Sequence, residues 1–301
     1  MGAKPLAGAA GGESPYGSTP VIAFVNEKGG VAKTTSCVNL SAALAQRQHR
    51  TLCIDLDPQS NATTAFGIST EEAIGREAHC LLTMPRFPLE RAVMPTEIAN
   101  LDIVPGTARL ADCDKALVME VGREGRLRGK LREFYRSVLS DKYDAILIDC
   151  PPSLDLLTVN ALTAATHMIV PVTTKFYALK GIALLGDIVA TLHEQLGASI
   201  RLLGILVTMF DKKTALDTTI YRLLKDKVER EFGDYIFSTI ITKSVVVSEA
   251  EAGGLPVLLR EPESPAAEAY RALADEVMGR LGAYVGGAVA PSPELTGATV
   301  S

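Results

Sequence analysis

The stretch Asn26-Glu27-Lys28-Gly29-Gly30-Val31-Ala32-Lys33-Thr34-Thr35 decides how the rest of the chain is read. It follows a short apolar run, Val21–Val25, and leads into helical patterning over 34–48. A strand, a glycine-rich turn and a Lys-Thr pair opening a helix make a cradle for the phosphates of a nucleotide. Backbone N–H groups curl around the phosphate, and the helix N-terminus adds its positive end. In such a cradle Gly29, Gly30, Val31, Ala32 and Thr35 line the phosphates. Lys33 reaches the β- and γ-oxygens, and the Thr34 hydroxyl ligates Mg2+. The competing reading, a glycine-containing turn with a chance Lys-Thr, is disfavoured by the strand before it and the helix after it.

Outward from this loop, short β-branched runs alternate with longer helical patterns. The predicted strands are Val21–Val25, Thr51–Asp55, Leu101–Val104, Ala145–Asp149, His167–Pro171, Leu203–Thr208 and Ile236–Ile240. Several are apolar throughout, as parallel strands buried on both faces must be. Helices are predicted over 34–48, 122–140, 155–165, 176–196, 214–232 and 264–282. The alternation predicts an α/β fold: a doubly wound, mostly parallel sheet flanked by helices, of the P-loop NTPase type. Residues 1–18 and 285–301 are small, polar and rich in Pro and Gly, and read as flexible tails. No Pro/Gly/Ser linker or repeat interrupts the region between, so 19–284 reads as a single domain.

Composition narrows the class. The chain has 301 residues, 47% of them hydrophobic and 22% charged, which excludes wholesale disorder and a disulfide-stapled miniprotein. Five scattered cysteines, with no C-x-x-C and no signal-peptide pattern, read as reduced thiols and predict a cytoplasmic protein. The longest apolar stretches, such as Leu202–Phe210, are about half of what a bilayer span needs. With 30 basic and 35 acidic side chains the net charge is −5. Any contact with nucleic acid must therefore come from a confined basic patch working against the mean field.

The strict phosphate-loop pattern is not met, because Glu27 and Ala32 stand where glycines belong. Lys28-Gly29-Gly30-Val31-Ala32-Lys33-Thr34-Thr35 instead resembles the deviant Walker A motif of the ParA/MinD family of ATPases, with Lys28 as the signature lysine. Three further segments resemble the family in the same order. Asp55-Leu56-Asp57-Pro58-Gln59 with Asn61-Ala62-Thr63 looks like switch I. Ile146–Ser153 looks like Walker B and switch II. Leu203–Asp211 looks like a late strand of the ParA/Soj partition ATPases. The resemblance spans about residues 21 to 282.

The resemblance implies ATP and Mg2+ as cofactors and a homodimer closed over two nucleotides. Lys28 would cross to the partner's ATP, and Gly29 would lie at the subunit contact. Lys28, Lys33 and Asp57 are the implied catalytic residues, with Asp57 positioning the attacking water while Asp55 ends its strand and organises the loop. Thr34, Asp57 and Asp149 are the implied metal residues, and Met209 joins the cradle as a nucleotide contact. If position 32 needs a positive φ, its alanine costs roughly 1–2 kcal/mol, which would slow the enzyme without abolishing ATP binding.

The family's ATP dimers hold double-stranded DNA non-specifically and are released by a ParB-like activator, which implies a nucleoid-associated protein that segregates a chromosome, plasmid or other cargo. Lys213, Arg222 and Lys243 are the DNA candidates, among other basic residues at 212, 225 and 227. A later family segment carries two arginines and two prolines where this chain has Ile241–Glu251. The first arginine becomes Lys243, the second becomes Val246, and both prolines are lost. The basic helix around Arg123–Arg136 reads as a solvated face. Other classes are a MinD-like membrane positioner, whose basic amphipathic C-terminus is missing from 284–301, an ATP-sensing scaffold with little turnover, and an iron–sulfur carrier. The last would need paired cysteines, whereas Cys150 reads as a small buried residue. No membrane contact is expected.

Overall fold

Segments such as Ala145–Asp149, apolar on both side-chain faces, are stable only with a helical layer above and below them. That requirement organises the molecule. The computed structural model describes residues 16–137, 142–175 and 178–285; 1–15 and 286–301, most of the expected tails, lie outside them. Seven strands form one sheet: β1 (Val21–Phe24), β2 (Thr51–Asp55), β3 (Met94–Pro95), β4 (Leu101–Val104), β5 (Ala145–Asp149), β6 (His167–Thr173) and β7 (Arg201–Thr208). Their order is β3-β4-β2-β5-β1-β6-β7, parallel except for the β3 edge pair. The parallel α/β prediction holds.

Two apolar clusters cover the two faces. One is built on the helix Lys33–Gln46 (α1) and the last helix, Pro265–Val285, through Leu40, Leu44, Tyr270 and Leu273. The other packs Leu127, Leu131, Leu157 and Leu162, from the helices Arg126–Arg136 and Leu156–Ala164, against Val21, Ile146 and Ile148. Tyr16, in the stretch read as tail, is 1% exposed and lies 5.6 Å ring to ring from Tyr135, so the folded unit reaches back at least that far. No helix among the described residues is long and apolar enough to cross a membrane.

Three local differences from the sequence expectation have physical causes. Ile236–Ile240 is not a strand. Tyr235, Phe237 and Ile241 exchange backbone hydrogen bonds with Ile205 and Val207, but the N–H groups of Ser238 and Thr239 donate to the Glu276 carboxylate at 2.8 and 3.0 Å. The ladder therefore breaks into isolated bridges. The edge strand β3 is too short, and its Pro95 too unlike a strand residue, to stand out. Between 61 and 116 the chain forms short helical segments of four to six residues that no long period announces.

The basic helix Arg126–Arg136 differs as well, because it is not merely a solvated face. Lys130 is buried, and its ammonium donates to the carbonyls of Met84, Pro85 and Phe87 at 3.2, 2.6 and 2.7 Å. Arg128 donates to Leu196 O at 3.0 Å, and Arg126 pairs with Glu120. Lys130 thus closes a turn in which only the Met84 carbonyl has a further donor, the Phe87 N–H at 3.2 Å. Lys130→Met keeps the stem's volume and deletes the donor, so urea denaturation should show a loss of about 1–3 kcal/mol.

Candidate functional site: a phosphate cradle at the carboxyl end of the sheet

Sheet register sets the site. Asp149 pairs with Phe24 on one side and Asp55 on the other, so these residues stand level on three adjacent central strands. The loop leaving β1 therefore rises directly beside two carboxylates, at the carboxyl end of a parallel sheet where such folds bind ligands.

The loop is pinned from below. Asn26 Nδ2 donates to Pro171 O at 2.8 Å, and its Oδ1 accepts the Lys28 N–H at 3.0 Å. The Thr208 hydroxyl, at the end of β7, lies between the carbonyls of Val31 and Val172 at 3.0 and 3.1 Å. Gly30 turns at φ +71°, which its lack of Cβ allows. Ala32 turns at φ 57°, ψ 39°, so the positive φ at this position is real and the alanine carries its strain of roughly 1–2 kcal/mol. α1 starts immediately after it. Ser36 N–H is bonded back to Ala32 O, and the N–H groups of Lys33, Thr34 and Thr35 precede any helical acceptor. They form the anion-binding end of the helix, which has no acidic residue in its own first turn.

Four candidate residues converge here. Lys33 is buried, with its ammonium 3.3 Å from Lys28 O; burial lowers its pKa, opposed by Asp149, Cys150 and Asp57. Asp149 is wholly buried and neither carboxylate oxygen has a hydrogen-bond partner. Burial pushes its pKa well above the carboxylate range, Asp55 and Asp57 push the same way, and Thr34 and Lys33 oppose. Asp57 is 6% exposed, anchored by Gln59 N–H on its Oδ1 at 2.9 Å and by its own N–H on Asp55 Oδ1 at 3.0 Å. Two orphaned carboxylate oxygens beside a second carboxylate and a threonine hydroxyl suit a hard divalent cation, which takes oxygen ligands.

Asp55 is spent within the protein. Its Oδ2 accepts the Thr63 N–H and hydroxyl at 2.9 and 2.7 Å, and burial pushes its pKa up to about 6 against those bonds. Gly106 was missed by the sequence reading. A Cβ there would fall 2.7 Å from Asp55 Cγ, and its N–H donates to Thr63 Oγ1 at 2.8 Å. The only sequence signal was its place just past β4, after Pro105.

Lys28, Gly29 and Gly30 form an exposed lip. A Cβ on Gly29 would meet only Pro152 Cβ at 3.9 Å, so nothing within the chain forbids a side chain there. Met209 follows Thr208 at φ 52°, partly exposed at the same end. Thr35 is engaged elsewhere: its hydroxyl donates to the carboxylate of Glu251, on the helix Val245–Ala252. Glu251 stands where the resembling family segment ends in a proline, and the loss of that proline does not by itself announce a carboxylate delivered to α1.

The DNA candidates lie around the end of β7 and on the helix that follows it. Lys243 N–H donates to Phe210 O at 3.0 Å and Lys213 N–H to Asp211 Oδ1 at 2.9 Å, so both exposed lysines flank the strand end at Phe210. Arg222 is exposed on the helix Ala215–Glu231. Val246 is half-buried and packs against the core beside α1.

A central parallel sheet, a strand–loop–helix phosphate cradle and a buried carboxylate at the end of the neighbouring strand define a P-loop nucleotide-binding protein. A family model described as an AAA domain matches residues 19–202. The sporulation initiation inhibitor protein Soj of Bacillus subtilis is 38% identical over 257 residues, 85% of this chain and 97% of Soj. The chromosome partitioning protein ParA of Myxococcus xanthus is 38% identical over 260 residues, 86% of this chain and 88% of that protein. A solved structure of cobyrinic acid a,c-diamide synthase from Mycobacterium smegmatis with bound ADP and magnesium superposes with TM-score 0.73 at 28% identity, covering 93% of this chain and all of that one. This chain belongs to the ParA/Soj family of partition ATPases.

The raised pKa of Asp149 has a consequence for stability. Its folded-state value lies above its unfolded value, so its stabilising, protonated form is present at low pH and is lost as pH rises through the folded-state pKa. In Mg2+-free buffer at neutral pH, Asp149→Asn should be more stable than the wild type by about 1–3 kcal/mol in urea denaturation. The gap should close as the pH falls into the ordinary carboxylate range.

Proposed function

We propose that this chain is an ATP-hydrolysing, dimerising positioning protein that binds DNA non-specifically in its ATP state. The observation that carries the nucleotide reading is the orphaned Asp149 carboxylate beside Lys33 and Thr34 at the open end of α1. Thr34 and Asp149, with Asp57, would hold Mg2+, which would neutralise phosphate charge. The backbone of Gly29–Ala32 and the N–H groups of Lys33, Thr34 and Thr35 would hold the phosphates, and Met209 would border the nucleotide. Asp57 would orient the attacking water. The solved synthase relative, with its bound ADP and magnesium, supports the same cofactors.

Dimerisation is supported by the exposed lip. Lys28 has solvent in front of it, and Gly29 lacks a Cβ that its own chain would tolerate, as expected where a second subunit approaches. In the dimer Lys28 would reach the partner's phosphates, so neither site is complete alone. The region 19–284 would act as one unit, with the flanking segments as tails. Homology to a protein named for chromosome partitioning supports a cargo-segregating role; the reading is completed by a ParB-like activator and a place in the cytoplasm on the nucleoid. The experiment is an ATP-dependent DNA-binding series over salt concentration, with ATP turnover measured alongside. Lys28→Ala should abolish DNA-stimulated turnover. Lys213→Ala and Lys243→Ala should each weaken binding across all sequences and reduce the salt slope by about 1. Binding that ignores ATP, or turnover intact in Lys28→Ala, would overturn the reading.

Glu251 bears on the same site. Its carboxylate accepts the Thr35 hydroxyl in the first turn of α1, and a negative charge there would oppose an anion bound at the same helix end. Glu251→Gln should therefore tighten ATP binding roughly two- to fivefold, equivalent to about 0.3–1 kcal/mol, measured by calorimetry.

A further inference from the structure

One group of side chains takes no part in the nucleotide chemistry. Glu77, His79 and Cys80 open the helix Ala78–Thr83, and a carboxylate oxygen, a ring nitrogen and the thiol sulfur lie within 4.8 Å of one another. Glu77 is completely buried. Arg109 Nη1 holds its Oε1 at 2.5 Å, yet its Oε2 has no hydrogen-bond partner. His79 Nδ1 is likewise buried without a partner. An orphaned carboxylate oxygen and an orphaned ring nitrogen, which accepts in one imidazole tautomer, beside a buried thiol are what a cation would satisfy.

We infer that Glu77, His79 and Cys80 bind one borderline transition-metal cation of the Zn2+ class, with water completing its coordination. The donor set selects the ion. One oxygen, one nitrogen and one sulfur suit Zn2+ or Co2+, whereas Mg2+ and Ca2+ take oxygen alone. A tetrahedral site with bonds of 2.0–2.3 Å needs donors about 3.3–3.8 Å apart, so from separations within 4.8 Å the side chains need close by no more than about 1.5 Å on loading. Arg109 acts as an outer partner, fixing Oε1 so that Oε2 points inward. Its positive charge opposes the cation. Against it stand the Glu77 carboxylate, Asp112, which faces His79, and the thiolate formed on binding. In that step Cys80 releases its proton to solvent as the sulfur lone pair forms the metal bond. The ion would fasten this helix where Ala78 N–H already meets Pro105 O at 2.8 Å, one residue before Gly106.

The test is a Co2+ titration of the chelator-stripped full chain, with excess Mg2+ present to fill oxygen-donor sites. A near-ultraviolet sulfur-to-cobalt charge-transfer band saturating at one Co2+ per chain, and removed by an equivalent of Zn2+, is expected. Cys80→Ser should lose the band, His79→Gln should weaken binding more than tenfold, and Cys113→Ser and Cys150→Ser should keep it. No band in the wild type, or a band that survives Cys80→Ser, overturns the site. The experiment is independent of the nucleotide reading, since it needs neither ATP nor hydrolysis.

Discussion

An ionisable carboxylate buried at the centre of the sheet without a hydrogen bond is the constraint on which the rest of this structure depends. Asp149 sits between β2 and β1, level with Asp55 and Phe24, and cannot be hydrated. Its charge is tolerable only with a cation nearby. The molecule supplies one fixed cation, Lys33, itself desolvated, and leaves the carboxylate oxygens free for another. Much of the surrounding architecture keeps these groups in place: Asn26 and Thr208 clamp the loop, and Gly106 and Thr63 hold Asp55. The strain at Ala32 adds to the same local cost. Stability is given up at the site and recovered in the two apolar layers around it.

The cradle and the surface around Lys243 are mechanically adjacent. Glu251 bonds Thr35 in the first turn of α1, and its helix begins two residues after Lys243. Asn39, one turn further along α1, accepts the Val257 N–H at 2.8 Å. The segment 245–257 is thus tied twice to the helix that carries the phosphate-binding N-terminus. A change in what occupies that terminus has a direct covalent and hydrogen-bonded route to the lysines at the end of β7.

The parts legible in the sequence were those whose signal is local and periodic. Six of the seven strands, all but β3, announced themselves as short β-branched runs, and the loop from Lys28 to Thr35 as a motif, because parallel burial and phosphate binding each demand particular residues at consecutive positions. Contacts across long sequence distances left no such trace. Glu276 breaks the expected strand at Ser238 and Thr239 from 38 and 37 residues away, Gly106 packs on Asp55 across 51, and Glu251 reaches Thr35 across 216. Lys130 looked like one more surface charge in a basic helix because nothing in its neighbours reveals the three carbonyls it serves. Short helices between 61 and 116 were invisible for a different reason: four to six residues are too few to establish a period.

The interrupted run beyond β7 bears on behaviour in a crowded solution. A parallel sheet ends in a strand with one side unpaired, and a regular edge of that kind is a template for strands of other molecules. Here the outer side of β7 is covered by residues 235–243, which bond to it at Ile205, Val207 and Phe210. The covering segment is itself unable to pass the pattern on, because Glu276 has taken two of its amides. This edge of the sheet is thereby closed against edge-to-edge aggregation with the help of a single carboxylate on the last helix.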